Sequence, residues 1–269
     1  MRVRTTVFEV VAAAVLIAWR AVGAAEPVHS GGNVNEARVA ADDSTGDNWM
    51  VGGRTFDEQH FSPLKQIDNR NIGHIGLAWA TDIDSAMGLA TEPIVVDGVI
   101  FLSAPQSRVY AIDGLTGKVL WRFDPAVRLD RMRNSWAART NRGVAVWAGK
   151  VYVGTGDCRL VAIDATSGGK LWESTVCDGS QTGITGAPHV GDGKVFIGYN
   201  GSDTGVRGSL AAFDAATGKE VWRFWTVPGS PLLMWVGPRP SMSRPVAQSR
   251  FRRLPLAGSP QRAAITGGR

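Results

Sequence analysis

Cysteine and histidine are scarce in this 269-residue chain, with two of the first, Cys158 and Cys177, and four of the second, His29, His60, His74 and His189. The histidines are scattered without metal-ligand spacing, and no Cys-x-x-Cys-His run exists, which excludes a histidine zinc centre and a covalently attached haem of that kind. The run GTGDCR (154–159) lacks the third glycine and the helix that a dinucleotide fingerprint requires. No helical heptad and no second globular pattern occurs. Acidic residues and lysine are missing from residues 232–269, which hold seven arginines; of the net charge of +5 this tail supplies +7, leaving −2 on the first 231 residues. Basic character is therefore local to a stretch rich in Pro, Ser, Gly and Arg, without periodicity, for which disorder is expected. With no interleaved aromatics and no recognition fold, nothing points to nucleic acid.

Long apolar runs are also missing, with one exception at the N-terminus. Arg2 and Arg4 precede an apolar stretch reaching Trp19, interrupted by Glu9, and small residues follow in AVGAAEP. This is the pattern of a secretory signal peptide over residues 1–25, with cleavage after Ala24 or Ala25 and export to a bacterial periplasm as the expectation. The alternative is an uncleaved anchor, for which about fifteen apolar residues is short. Residues 26–47 read as an N-terminal extension. The two cysteines suit an oxidising compartment, and they stand symmetrically about a turn between Asp164 and Leu171, so a cross-strand disulfide is expected; two buried, unpaired thiols are the alternative.

What the chain does contain is a sentence written three times: VYAIDGLTGKVLW (109–121), LVAIDATSGGKLW (160–172) and LAAFDAATGKEVW (210–222). Asp113, Asp164 and Asp214 recur at intervals of 51 and 50 residues, as do Trp121, Trp172 and Trp222. A repeat of this length built from strand-like segments indicates the blades of a β-propeller. Alternating residues suit a half-buried strand, the Asp can bind the amides of its own turn, and Gly117, Gly168 and Gly218 can take a positive φ where the chain reverses. The Trp eight residues after each Asp is expected to pack against the neighbouring blade rather than bind a ligand.

A second hairpin precedes each copy. EPIVVDGVIFLSA (92–104), GVAVWAGKVYVGT (143–155) and APHVGDGKVFIGY (187–199) are β-rich runs broken by Asp97-Gly98, Ala148-Gly149 and Asp192-Gly193, which signal tight turns. Two hairpins make a four-stranded blade. The sequence thus predicts an all-β fold with about three blades, over 92–124, 142–177 and 186–227, and one further outer strand around Trp79 in HIGLAWATDI.

Together with WMVGGRTFDEQHFSPLKQIDNRNIGHIGLAW (49–79), NRGVAVWAGKVYVGTGD (141–157), TGITGAP (182–188) and GYNGSDTGVRGSLAAFD (198–214), the repeats resemble the N-terminal part of the pyrroloquinoline quinone (PQQ) dependent alcohol dehydrogenases over residues 48–231. The resemblance implies a partial β-propeller, about three of the family's eight blades. It also implies PQQ with a calcium or lanthanide ion near the propeller axis, a small alcohol as substrate and a periplasmic cytochrome as electron acceptor. Motif by motif, Arg142 falls on the arginine that pairs with PQQ, and a guanidinium fork suits the cofactor's carboxylates. Thr185 falls on a PQQ-binding threonine, and Asn200, Gly201 and Ser202 on the small-residue segment whose backbone approaches the cofactor. Asp203 falls on the metal-ligating glutamate, and a hard cation accepts either carboxylate.

Three departures accompany the resemblance. Trp136 and Ala137 stand where the family commonly has adjacent, disulfide-linked cysteines, and a Trp stacking on the quinone in their place is one idea. Ala90 stands at the family's PQQ-contacting glutamate, with Glu92 two residues on, nearly 7 Å along a strand, so that role is not carried over. After TVPGSP (226–231) the likeness stops, and the family's catalytic base, a further Asn and second metal ligand have no counterpart. The expectation is a truncated alcohol dehydrogenase, inactive alone and prone to self-association through open blade edges. The other class of reading is a non-enzymatic propeller scaffold, which would have no reason to carry Arg142, Thr185 and Asp203.

Overall fold

The structure, a computed structural model, describes residues 31–85, 87–132, 135–199, 201, 205–227 and 235–236. The leader expected over 1–25 and most of the tail lie outside them. Three antiparallel sheets follow one another along the chain. The first is β1 (Ile94–Val96), β2 (Val99–Ser103), β3 (Val109–Asp113) and β4 (Val119–Phe123). The second is β5 (Ala145–Trp147), β6 (Lys150–Gly154), β7 (Arg159–Asp164) and β8 (Lys170–Thr175). The third is β9 (His189–Gly191), β10 (Lys194–Tyr199), β11 (Ser209–Asp214) and β12 (Glu220–Trp225), to which Trp235–Val236 adds β13. In each, strands pair in sequence order, the meander of a propeller blade. The fold is the all-β partial propeller that the repeats predict.

Local chemistry explains the hairpins. The first turn of each blade places two residues at positive φ, Asp97 and Gly98, Ala148 and Gly149, Asp192 and Gly193, as a two-residue turn matched to strand twist requires. The second turn is built by the repeated Asp. Asp113 Oδ1 accepts from the Leu115 and Thr116 amides and the Thr116 hydroxyl at 3.0, 2.7 and 2.8 Å, and Asp164 and Asp214 do the same with Thr166 and Ser167, and with Ala216 and Thr217. The amide and hydroxyl of Ser167 hold the Asp164 carboxyl below its ordinary range, as the hydroxyl and amide of Thr217 hold that of Asp214.

The repeated Trp joins each blade to the next. Trp121 lies against Gly168 of the following turn, where an added Cβ would stand 2.8 Å from Trp121 Cδ2, and its Nε1 donates to Ala165 O at 3.0 Å. Trp172 lies against Gly218 likewise. Within each blade the same Trp meets an aromatic of the second strand, with ring centroids 6.0 Å apart for Phe101–Trp121, 5.8 Å for Tyr152–Trp172 and 5.9 Å for Phe196–Trp222. Tyr152 interrupts the pattern: its hydroxyl donates to Ala215 O at 2.9 Å, the carbonyl equivalent to Ala165 O, and the buried Trp172 Nε1 has no partner among the described residues.

Two expectations need correction, the strand at Trp79 and the register of the disulfide. No strand forms around Trp79. The indole nevertheless docks like its repeats, on Gly117, with Nε1 to Gly114 O at 3.1 Å and Thr81 Oγ1 to Gly117 O at 2.5 Å; the described residues offer no third strand of its own blade for pairing. The N-terminal extension contains α1 (Glu36–Asp42), capped by Asn35, whose side chain accepts from the Arg38 amide at 2.9 Å. Arg38 binds Asp97 at 2.7 Å, and Ala148 N donates to Val34 O at 2.9 Å, so this segment staples the first turns of two blades. In the tail, Trp235 and Val236 pair with Phe224 and Arg223.

The disulfide Cys158–Cys177 is present, but not by the symmetry expected. A bulge at Ala162/Ile163 shifts the register, so Arg159 faces Thr175 and the Val176 amide, not that of Cys177, makes the short bond to Cys158 O at 2.8 Å. Cys158 adopts φ 72°, which takes its Cβ out of the strand alternation and toward the neighbour of its pairing partner.

Candidate cofactor-binding wall

The innermost strands of the three blades, β1, β5 and β9, are joined just before their first residues. Glu92 N donates to Arg142 O at 3.1 Å, and Arg142 N donates to Thr185 O at 3.0 Å, so Glu92, Arg142 and Thr185 step from blade to blade along one rim. The Arg142 side chain follows the same direction: Nη1 donates to Thr185 Oγ1 at 2.5 Å. The guanidinium is exposed, and Thr185 is its only side-chain partner among the described residues. Two residues predicted from separate motifs, 43 apart, are thus brought into contact.

The backbone here is fixed from below. Asn141, 2% exposed, donates from Nδ2 to Gly154 O at 2.8 Å and to Ser107 Oγ at 3.2 Å, and its Oδ1 accepts from Gly143 N at 3.3 Å. The Asn of the Asn-Arg-Gly triplet therefore locks the turn that presents Arg142, a role the sequence alone did not assign. Gly201 is buried, and its carbonyl accepts from Val206 N at 2.8 Å. It follows β10, which returns toward the end where Thr185 leads into β9, and a Cβ at Gly201 would lie 2.3 Å from Val206 O, so only glycine fits. Asn200, Ser202 and Asp203 lie outside the described residues. Among the described residues no cluster of His, Cys, Asp and Glu could hold a metal ion.

Beside this rim runs a cleft of about 310 Å³, walled by Phe56, Trp147 and Val190 and carrying Glu92, His60 and Arg142, at the lower end of ligand-cavity sizes. Glu92 is not free in it. Its Oε1 accepts from Trp49 Nε1 at 3.1 Å and from Gly53 N at 2.8 Å, tying the 49–53 segment to the first blade. Ala90, by contrast, is exposed. Ala137, in α2 (Ser135–Arg139), is buried with its methyl against Gly183; the Trp136 side chain is outside the described atoms.

The family described as PQQ glucose/ethanol/alcohol dehydrogenase, β-propeller domain, matches residues 49–236. The chain belongs to it. Among relatives of this PQQ dehydrogenase family, the quinohemoprotein alcohol dehydrogenase ADH IIB of Pseudomonas putida is 50% identical over 206 residues, covering 76% of this chain and 30% of its own length. The solved quinohemoprotein alcohol dehydrogenase of Comamonas testosteroni superposes with a TM-score of 0.71 at 39% identity, over 78% of this chain and 32% of that one. A europium-containing methanol dehydrogenase superposes at 0.65 with 30% identity, over 71% and 34%. The chain thus spans about a third of the length of the family members it matches.

Proposed function

We propose that Arg142, Thr185 and the 200–203 segment form part of the wall that holds PQQ and its ion in an alcohol-oxidising quinoprotein. The observation that carries this reading is the exposed Arg142–Thr185 pair, whose main chain is fixed by Asn141 and by its bonds to both neighbouring blades. A guanidinium with N–H groups to spare and an adjacent hydroxyl suit a flat polycarboxylate, and the fork binds two carboxylate oxygens at once. The wall is preorganised, so little ordering is left for the moment of binding. Gly201 admits a ligand close to the backbone, and Asp203 is the oxygen donor for calcium or a lanthanide, in keeping with the europium-containing relative.

Held by Arg142, Thr185 and the 200–203 segment, PQQ would supply the two-electron oxidising chemistry for an alcohol and its ion would supply Lewis-acid assistance. In this chain Arg142 neutralises and orients the cofactor's carboxylates, Thr185 fixes the guanidinium, and the packed inner strands exclude water from one side. Glu92 is held through Oε1 by Trp49 and Gly53, so its part here is to fix the 49–53 segment, and the role proposed for this wall is to bind the cofactor. Export to the periplasm and a cytochrome acceptor belong to the same proposal.

The test is size-exclusion of the full chain with PQQ and Ca²⁺. Quinone absorbance is expected to co-elute with the protein and to be lost in Arg142→Ala. Absence of co-elution, or equal binding by the variant, overturns the reading.

A further inference from the structure

We propose that the Cys158–Cys177 bridge positions Thr185 by locking the loop that precedes it, so that the Arg142–Thr185 pair depends on the redox state of two cysteines remote from any ligand; the consequence for PQQ rests on the functional reading above. The loop from Asp178 to Ile184 is bound largely to itself. Asp178 Oδ1 accepts from the Ser180 amide and hydroxyl at 3.0 and 2.7 Å, and both Gln181 N and Thr182 N donate to Asp178 O, at 3.0 and 3.1 Å. These bonds fold the loop but do not place it.

Placement comes from the packing around the bridge. Cys158 is fully buried at the β6–β7 turn, its amide donating to Thr155 O at 2.9 Å, and the bridge carries that fixed position across to Cys177, one residue before the loop. The Thr182 carbonyl lies 3.6 Å from Cys158 Sγ, a contact only, because a bonded sulfur has no proton to donate. Gly179 then packs on the Asp157 backbone, Gly183 on Ala137 and Gly156, and Ile184, fully buried, on Gly154. The next residue is Thr185, whose carbonyl receives the Arg142 amide and whose hydroxyl receives the guanidinium. The turn at 155–158, α2 and the loop form one block with the disulfide inside it.

A dithiol opens the bridge in a balanced exchange: the Sγ–Sγ bond takes up two electrons and two protons to become two thiols, and the dithiol closes to its own disulfide. Amide hydrogen exchange of the full chain, oxidised and reduced, reads the consequence without any ligand. Exchange at Thr182 and Arg142 is expected to rise about tenfold on reduction, with Val151 and Val153 of β6 unchanged. Unchanged exchange at Arg142, or an equal rise throughout β6, overturns the proposal. Because thiols reduce free quinones, the binding arm uses Cys158→Ser/Cys177→Ser without reductant, and a several-fold weaker PQQ affinity is expected. Local loosening with no PQQ binding in either form would leave the positioning role standing and remove the functional reading instead; loosening with undiminished affinity overturns the link between the two.

Discussion

Gly168→Ala isolates the contact that joins the first blade to the second. At φ 73° the new residue takes the left-handed conformation, which costs about 1 kcal/mol for a side chain bearing Cβ. The Cβ also meets Trp121 Cδ2, Cγ and Cε3 at 2.8, 2.9 and 3.0 Å, roughly half an ångström inside ordinary contact. The ring cannot retreat while Nε1 keeps its 3.0 Å bond to Ala165 O, so either that bond, about 1 kcal/mol, or a comparable rotamer strain is added. The total is about 2 kcal/mol, twice the conformational cost alone. Gly193→Ala is the control: φ is 66°, yet nothing lies within 4 Å of the added Cβ, so only the conformational cost of about 1 kcal/mol remains. Urea unfolding followed by circular dichroism compares the two variants. If they lose equal stability, Trp121 is not what excludes a side chain at position 168, and the account of blade docking is wrong.

Burial, with a smaller contribution from Asp214, pushes the Tyr152 phenol up to about 12, so the stability it lends is full below the ordinary tyrosine range and falls by on the order of 2 kcal/mol as pH rises from about 10 through 12; Tyr152→Phe should flatten that alkaline limb in a pH series of urea melts. Burial works to raise the Asp157 carboxyl, but hydrogen bonds from Arg159, Thr155 and the Arg128 amide outweigh it and hold the group below its ordinary value. Its contribution is therefore present above the usual carboxylate range and lost as pH falls through its folded value, and Asp157→Asn, which leaves Arg159 short of its partner, should cost about 3 kcal/mol at neutral pH by the same melts. Arg142→Lys should keep the charge but lose the fork, weakening PQQ capture about tenfold by absorbance titration, less than Arg142→Ala; equal affinities would refute bidentate binding.

Where an element's cause is local, it was legible in the residues. The Asp of each repeat and the hydroxyl three positions on make the turn bonds by themselves, and Asp-Gly or Ala-Gly pairs set the first hairpins, so blades and boundaries could be read within a few residues. Where the cause is a distant partner, reading failed or was incomplete. Trp79 carries the repeat's docking chemistry, yet a strand needs a neighbour, and its own blade offers none among the described residues. α1 has a cap but only seven residues, too few for a periodic signal, and it is held by Asp97 and the β5–β6 turn. The bulge at Ala162 was invisible, so the cysteine pair was found with the wrong register.

The candidate site divides in the same way. Arg142 and Thr185 came from motif likeness, and the Asn141 anchor stood next to Arg142 in the same triplet without any local sign of its role. Glu92, set aside by spacing, is engaged by Trp49 and Gly53, a pairing that joins residues 43 and 39 positions apart.

Repetition alone determined that this is a β-propeller chain, because turn chemistry and blade packing act over a dozen residues and are rewritten in each copy; its kinship with the PQQ dehydrogenases came from motif likeness. Only the tertiary structure decided that Arg142 grips Thr185, that Glu92 clamps the N-terminal segment, and that the disulfide sits beneath the loop leading to the rim. Those contacts join segments far apart in the chain, and the distances between them are set by the pairing and stacking of whole sheets, which no local stretch of sequence contains.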